Sequence, residues 1–334
     1  VRRRSLLIAV PAGLVTLAAC GDDDSGSSSN ASDSASPEPS ATSAAPPPKI
    51  VDGPLPAITA GTKFDEKPTV AKGSGEPSKD LAVKTVIAGG GKAVAENDFI
   101  SANYLGQIWQ SAKVFDNSYD RKTPLVIQLA QGSIIDGWRY ALTGKKTGSR
   151  VQFSVPPTWG YGEQGNEQAG IKGDDTLVFV VDVQDTFNSR SSADGEKVAQ
   201  DDAALPKIGT NTDGKAPSIE VPDGDAPKKL VAEYVLEGDG AEVGAQDSVL
   251  VQYKGVLWDG GKEFDSTYAR KQLTSFSLQQ VVKGWAQGLT GKKVGSRVLI
   301  VVPPDLGYGD NPPQGSDIKK DSTLVFSVDI LAKM

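Results

Sequence analysis

Phe115-Asp116-Asn117-Ser118-Tyr119-Asp120-Arg121 opens a stretch that runs through Leu125-Val126-Ile127 and ends Ile134-Ile135-Asp136-Gly137-Trp138. Near the C-terminus it returns as Phe264-Asp265-Ser266-Thr267-Tyr268-Ala269-Arg270, ending Val281-Val282-Lys283-Gly284-Trp285. A carboxylate with a guanidinium five residues on, then an aliphatic pair and a tryptophan, is an odd mixture for a plain core. Such a stretch offers an apolar, aromatic surface with one acid and one base set into it. It reads as the functional unit of the chain, present twice.

Outward from that stretch the repetition continues, and it decides the architecture before any single element does. Leu81 matches Leu230, Tyr104 matches Tyr253, Trp109 matches Trp258 and Phe115 matches Phe264, all at an offset of 149. Trp138 and Trp285, Pro156-Pro157 and Pro303-Pro304, Tyr161 and Tyr308, and Thr176-Leu177-Val178-Phe179 and Thr323-Leu324-Val325-Phe326 match at 147. The second copy therefore lacks two residues just before Val281-Val282. Copies of roughly 105 residues are tandem domains, because solenoid repeats are far shorter.

In each copy the β-branched and aromatic runs predict strands: 99–105, 124–129, 150–155 and 176–183, then 249–253, 274–278, 297–302 and 323–331. Each copy has one short predicted helix, Asp136 to Leu142 and Lys283 to Leu289, closed by Gly144 and Gly291. Five or so antiparallel strands and one helix define an α+β domain whose sheet wraps the helix.

Composition narrows the chemistry. The net charge is −7, with no basic tract past the first residues, which argues against nucleic acid as a partner. There is no histidine, so the commonest general base and metal ligand is missing. A single cysteine excludes disulfides, zinc clusters and Cys-His nucleophile pairs. No metal and no cofactor is expected.

Val1 in place of Met is expected to reflect a GUG start, and hence a bacterial source. Arg2-Arg3-Arg4 and the apolar run Leu6–Ala19 have the build of a signal peptide over residues 1–19. The run ends Leu17-Ala18-Ala19-Cys20-Gly21, which resembles a bacterial lipobox and implies a diacylglycerol on Cys20. Residues 20–49, rich in Ser, Ala and Pro, are expected to be a disordered tether. Together these predict a lipid-anchored protein on the extracytoplasmic face of the cell membrane. Residues 50–187 then form the first domain (core 79–187 with an N-terminal extension), 188–226 a linker packed in part at its C-terminal end, and 227–334 the second domain. Lys67-Pro68-Thr69-Val70 parallels Ala216-Pro217-Ser218-Ile219, which predicts an extra N-terminal strand for each domain.

The ordered motifs resemble the FK506-binding-protein (FKBP) type of peptidyl-prolyl cis-trans isomerase. In copy two they are Val251 to Ser266, Val282-Lys283-Gly284-Trp285, Gly295-Ser296-Arg297, Pro303-Pro304-Asp305-Leu306-Gly307-Tyr308-Gly309 and Thr323-Leu324-Val325-Phe326. Copy one matches through Tyr104, Val114-Phe115-Asp116, Ile135-Asp136-Gly137-Trp138, Gly148-Ser149-Arg150, Pro156-Pro157-Thr158-Trp159-Gly160-Tyr161-Gly162 and Thr176-Leu177-Val178-Phe179. The resemblance implies two FKBP-like domains, each an antiparallel half-barrel around one short helix, with a pocket between helix and sheet.

Carried over residue by residue, it implies catalytic roles for Tyr104, Asp116 and Tyr161, and for Tyr253, Asp265 and Tyr308. It implies substrate binding by Phe115, Arg121, Ile134, Ile135, Trp138, Ile171 and Phe179, and by Phe264, Arg270, Val281, Val282, Trp285, Ile318 and Phe326. The implied partners are proline-containing polypeptides and FK506- or rapamycin-like macrolides. Rotation about Xaa-Pro breaks no bond, so the absence of histidine is no obstacle.

Two departures set the copies apart. Where the resemblance implies an aromatic wall the chain has Leu125 and Thr274, and Thr274 is expected to shrink and wet that wall. With the two-residue deletion, this favours copy one as the working site. It leaves open, for copy two above all, a non-catalytic proline-binding or chaperone module. Substrate preference is expected to lie in loops 163–175 and 310–322.

Overall fold

The computed structural model describes residues 47–334, so the expected signal peptide, Cys20 and most of the tether lie outside the described residues. No helix among the described residues is long and apolar enough to cross a membrane.

Each half folds into a seven-stranded sheet. In the first, the order across the sheet is 50–51, 81–87, 150–155, 177–187, 99–108 and 114–117, with 125–128 also on 99–108. All pairings are antiparallel except that of 50–51 with 81–87. The second sheet repeats the order as 196–197, 231–237, 297–302, 324–333, 248–257 and 263–266, with 274–277 on 248–257. The helices span Asp136–Leu142 and Lys283–Leu289, as the sequence predicts. A further short helix, Thr267–Arg270, and several 3₁₀ turns were not anticipated.

Strand alternation sends every second side chain to the concave face. There Ile100, Ala102, Tyr104, Val151, Phe153, Val155, Phe179 and Val181 enclose the buried helix face Gly137, Trp138, Ala141 and Leu142. Helix and sheet touch at Gly137: a Cβ there would lie 2.5 Å from Val155 Cγ1. Only glycine permits that approach, and Gly284 stands in the same relation to Val302.

The long strand 99–108 organises the site. Its first half pairs with 125–128 and its second half with 114–117. Between those partners the chain leaves the sheet as the 3₁₀ turn Tyr119–Arg121, which places Asp116 and Arg121 side by side at the rim. Ser118 fixes this excursion by accepting from the Tyr104 N–H at 2.9 Å, and Thr267 does the same for Tyr253 at 2.8 Å.

The strands 81–87 and 231–237, unanticipated as elements, close the far side of each sheet. The segment 188–226, expected as a linker packed in part at its C-terminal end, is also anchored on the second domain from its start. Gln252 Nε2 donates to Ser189 O at 3.3 Å and Ser191 O at 2.6 Å, so attachment begins two residues past the first domain's last strand. Ile208, Leu205, Ile219 and Val221 then pack with Val235, Trp258 and Leu299. The physical reason is a buried ion pair that the sequence reading left without a role. Arg297 and Asp329, both fully buried, bind one another, and Arg297 Nη1 donates to Gly209 O and Asn211 O at 2.8 Å. Asp329 also accepts from the Ala193 N–H.

The first domain has the same clip. Arg150 and Asp182 are fully buried and paired, and Arg150 donates to Gly61 O and to Glu66 O, while Asp182 accepts from the Asp65 N–H. A buried arginine must have every donor met. The extensions supply the missing carbonyls, so each is part of its domain. The extra N-terminal strand expected for each appears as the hairpins 58–60/69–70 and 207–208/219–220, with short edge strands before them.

Candidate active site

At the open end of the first half-barrel the aromatic residues meet edge to face. Trp138, 1% exposed, lies at the bottom, with Tyr104 at 5.3 Å, Phe179 at 5.4 Å and Phe153 at 6.0 Å between ring centroids. Phe115 stands against Phe179 at 5.7 Å. Its ring occupies the space beside Gly106, where a Cβ would come within 2.6 Å of it. Ile134, Ile135 and Ile171 are buried in the same cluster, and Tyr161 and Leu125 pack on it.

One polar group is built into this apolar bowl. The Tyr104 hydroxyl donates to one oxygen of Asp116, Arg121 donates to the other, and Arg121 Nη2 also donates to the Tyr104 hydroxyl at 3.0 Å. Both carboxylate oxygens are thus engaged, and the guanidinium lies 5.7 Å from the Tyr104 ring centre. Burial, with the neighbouring Asp116 charge, pushes the Tyr104 phenol well above the ordinary tyrosine range, so it stays protonated and remains a donor. Burial raises the Tyr161 phenol in the same sense.

The second half-barrel repeats the arrangement. Tyr253 donates to Asp265, Arg270 donates to Asp265, and Arg270 donates to Tyr253 at 3.2 Å. Trp285 lies under Tyr253 and Phe326 at 5.2 Å from each, and Phe264 meets Phe326 at 5.5 Å. Tyr253, Phe264, Asp265, Val281, Val282, Trp285, Tyr308 and Phe326 line one cavity of about 280 Å³. Ile318 is buried in the core beneath it, and Arg270 reaches it through Asp265.

A family model described as FKBP-type peptidyl-prolyl cis-trans isomerase matches residues 90–184 and again 240–331. The chain belongs to the FKBP family. Among curated relatives, the probable FK506-binding protein of Corynebacterium glutamicum is 40% identical over 117 residues, covering 35% of this chain and 97% of that protein. The FK506-binding protein of Streptomyces anulatus is 38% identical over 118 residues, 35% of this chain and 95% of that protein. The isomerase FkpA of Escherichia coli K12 is 34% identical over 183 residues, covering 49% of this chain and 66% of that protein. The chain is an FKBP-type prolyl isomerase with the domain present twice, and the family binds proline-containing substrates and macrolides.

One expectation about the second FKBP domain is overturned. Thr274 does not leave the wall open, because Phe276, two residues on and on the same face, supplies it. Phe276 meets Trp285 at 5.4 Å and Tyr253 at 5.9 Å and lines the cavity. Strand register makes Ile127 its counterpart in the first FKBP domain: Ile127 pairs with Ile100, as Phe276 pairs with Val249. The alternation of Thr274, Phe276 and Leu278 carried this signal. Gln280, at the shortened loop, also lines the cavity and was missed.

The domains differ in how far their sites are covered. The Asp116 side chain is 8% exposed, while that of Asp265 is 39% exposed. Tyr161 packs on the first core together with Trp159 and Ala169, whereas Tyr308 stands exposed. The loop 163–175 is braced by reciprocal backbone bonds between Asn166 and Ile171 at 2.8 and 2.9 Å.

Proposed function

We propose that both pockets accept an Xaa-Pro segment and accelerate its rotation by favouring the twisted amide. The observation that carries this reading is the Tyr-Asp-Arg cluster beside a buried tryptophan, reproduced in both domains from the same residue spacing. The proline ring sits on Trp138 or Trp285, against Tyr104, Phe115 and Phe179 or their counterparts. Rotation costs about 18–20 kcal/mol because amide resonance is lost at the midpoint. A dry aromatic bowl removes the water that stabilises the planar, more polar amide. Asp116 lies alongside the rotating carbonyl, held in one orientation by Tyr104 and Arg121. Tyr161 and the Ile135 backbone N–H donate to the substrate carbonyls on either side. Interactions made only with the twisted form lower the barrier, and each ~1.4 kcal/mol is a factor of ten.

The substrates of this reading are secreted or cell-surface polypeptides, reached from a lipid anchor on Cys20. FK506-like macrolides would compete for the same bowls. Exchange spectroscopy on an Ala-Leu-Pro-Phe peptide measures the turnover of the full chain. Asp116→Ala with Asp265→Ala should cut it at least about tenfold, the equivalent of roughly 1.4 kcal/mol. Unchanged turnover in the double variant would sink the pocket assignment. Mass spectrometry of the membrane fraction tests the anchor, which fails if Cys20 carries no lipid.

A further inference from the structure

We propose that the two domains are docked through a dedicated apolar interface, and that docking pins the loop that carries Arg270. One cluster draws on both halves: Phe99, Val126 and Phe187 from the first, and Leu250, Leu273, Leu331 and Ala332 from the second. The five of these that are Val126, Leu250, Leu273, Leu331 and Ala332 are at most 6% exposed.

Strand register shows what these positions are in the other copy. Phe99 pairs with Phe187 where Ser248 lies opposite Met334, and Ser101 pairs with Val126 and Asp185 where Leu250 pairs with Ser275 and Ala332. The first domain's Phe99, Val126 and Phe187 are thus Ser248, Ser275 and Met334 in the second. The second domain's Leu250, Leu331 and Ala332 are Ser101, Gln184 and Asp185 in the first. Each copy is apolar at this corner where its sister, apart from Met334 and Pro124, is polar. Such positions face away from each domain's own core, since their strand neighbours Ile100 and Val249 point into it. Folding of an isolated domain does not require them to be apolar. A partner does, and that partner is the other domain.

The connection enforces the encounter. Strand 177–187 ends at Phe187, and Ser189 O already accepts from Gln252 of the second domain. Almost no free chain separates them, so the effective concentration of one face for the other is high. Leu273 gives the interface a functional consequence, which rests on the proposed role of Arg270. It lies three residues beyond Arg270, and Gln272 N–H closes the intervening turn onto Thr267 O at 3.2 Å. Burying Leu273 against the first domain holds the turn that presents Arg270 to Asp265. In the first domain the equivalent position is Pro124, which stiffens the chain on its own. The first domain is therefore a positioning element for the second site.

The test uses the full chain and needs no catalysis. Backbone ¹⁵N relaxation should return one rotational correlation time for both domains. Leu331→Lys and, separately, Val126→Asp should give two shorter ones while circular dichroism stays unchanged. Independent tumbling of the wild-type domains, or one-body tumbling in both variants, overturns the docking. In Leu331→Lys the Gln272 amide should exchange at least about tenfold faster, whereas the Lys122 amide in the first site should not change. An unchanged Gln272 rate overturns the pinning. Loss of turnover in the wild-type chain would instead bear on the proposed pocket mechanism and leave both readouts standing.

Discussion

The two sites share a cluster and differ in what surrounds it. Both hold Asp against Tyr and Arg over a tryptophan. In the first domain the carboxylate is covered, Tyr161, Trp159 and Ala169 pack on the core, and the wall beside Trp138 is aliphatic. In the second the carboxylate is open, Tyr308 stands clear, and Phe276 closes the wall with a third ring against Trp285 and Tyr253. Duplication has kept the polar device and let the walls drift. Cover and aromatic wall are therefore the features in which the two sites differ.

The largest expected effect falls where the domains are alike. Removing one partner of a buried ion pair leaves an uncompensated charge and costs roughly 3–5 kcal/mol. Arg297→Ala strands Asp329 and frees Gly209 O and Asn211 O, and Arg150→Ala does the same to Asp182, Gly61 O and Glu66 O. The two substitutions should cost the same, each lowering exchange protection of its own sheet in urea titrations. If Arg297→Ala were harmless, segment 188–226 would not be held by this clip.

The next effect separates the walls. Phe276→Ala should weaken binding of a proline tetrapeptide at the second site about tenfold, or ~1.4 kcal/mol, followed through the Trp285 indole resonance. Ile127→Phe should move the first site the other way, followed at Trp138. An unchanged second-site affinity would remove Phe276 from the substrate wall and restore the expectation drawn from Thr274.

That expectation shows where sequence was sufficient and where it was not. The helices, the strands 150–155 and 297–302, and the placing of Trp138 on the helix face were legible, because periodicity and glycine stops are local. Asp116 and Arg121 were legible as site residues through the motif, its echo and the family resemblance, and the structure pairs them. Phe276 was missed because its role depends on which face of a four-residue strand turns inward, and that is set by pairing with 248–257. The clips were missed for a different reason. Arg297 opens a strand otherwise made of apolar residues and Arg150 opens one that also carries Gln152 and Ser154; their partners lie 32 residues away along the chain, with carbonyls from the extensions still further off. Polar composition made 188–226 look like a linker, although its backbone carbonyls are what the buried guanidinium binds.

The smallest effect tests cover directly, since the same ion pair exists in a buried and an open version. Asp116→Asn keeps the shape of the side chain and removes a charge that is 8% exposed, where hydrogen bonds to a charged acceptor contribute roughly 1.5–3 kcal/mol. Asp265→Asn removes the same charge where the carboxylate is 39% exposed and water can replace what is lost, so about 0–1 kcal/mol is expected. Arg121 and Arg270 are themselves 41% and 43% exposed, which trims the first figure and leaves the second small. The difference between the variants should therefore be near 1 kcal/mol, with the first domain the more sensitive, in urea titrations of the full chain followed domain by domain. Equal costs would mean that the two carboxylates see the same solvent. The contrast between a covered and an open site would then reduce to the wall at Ile127 and Phe276 alone.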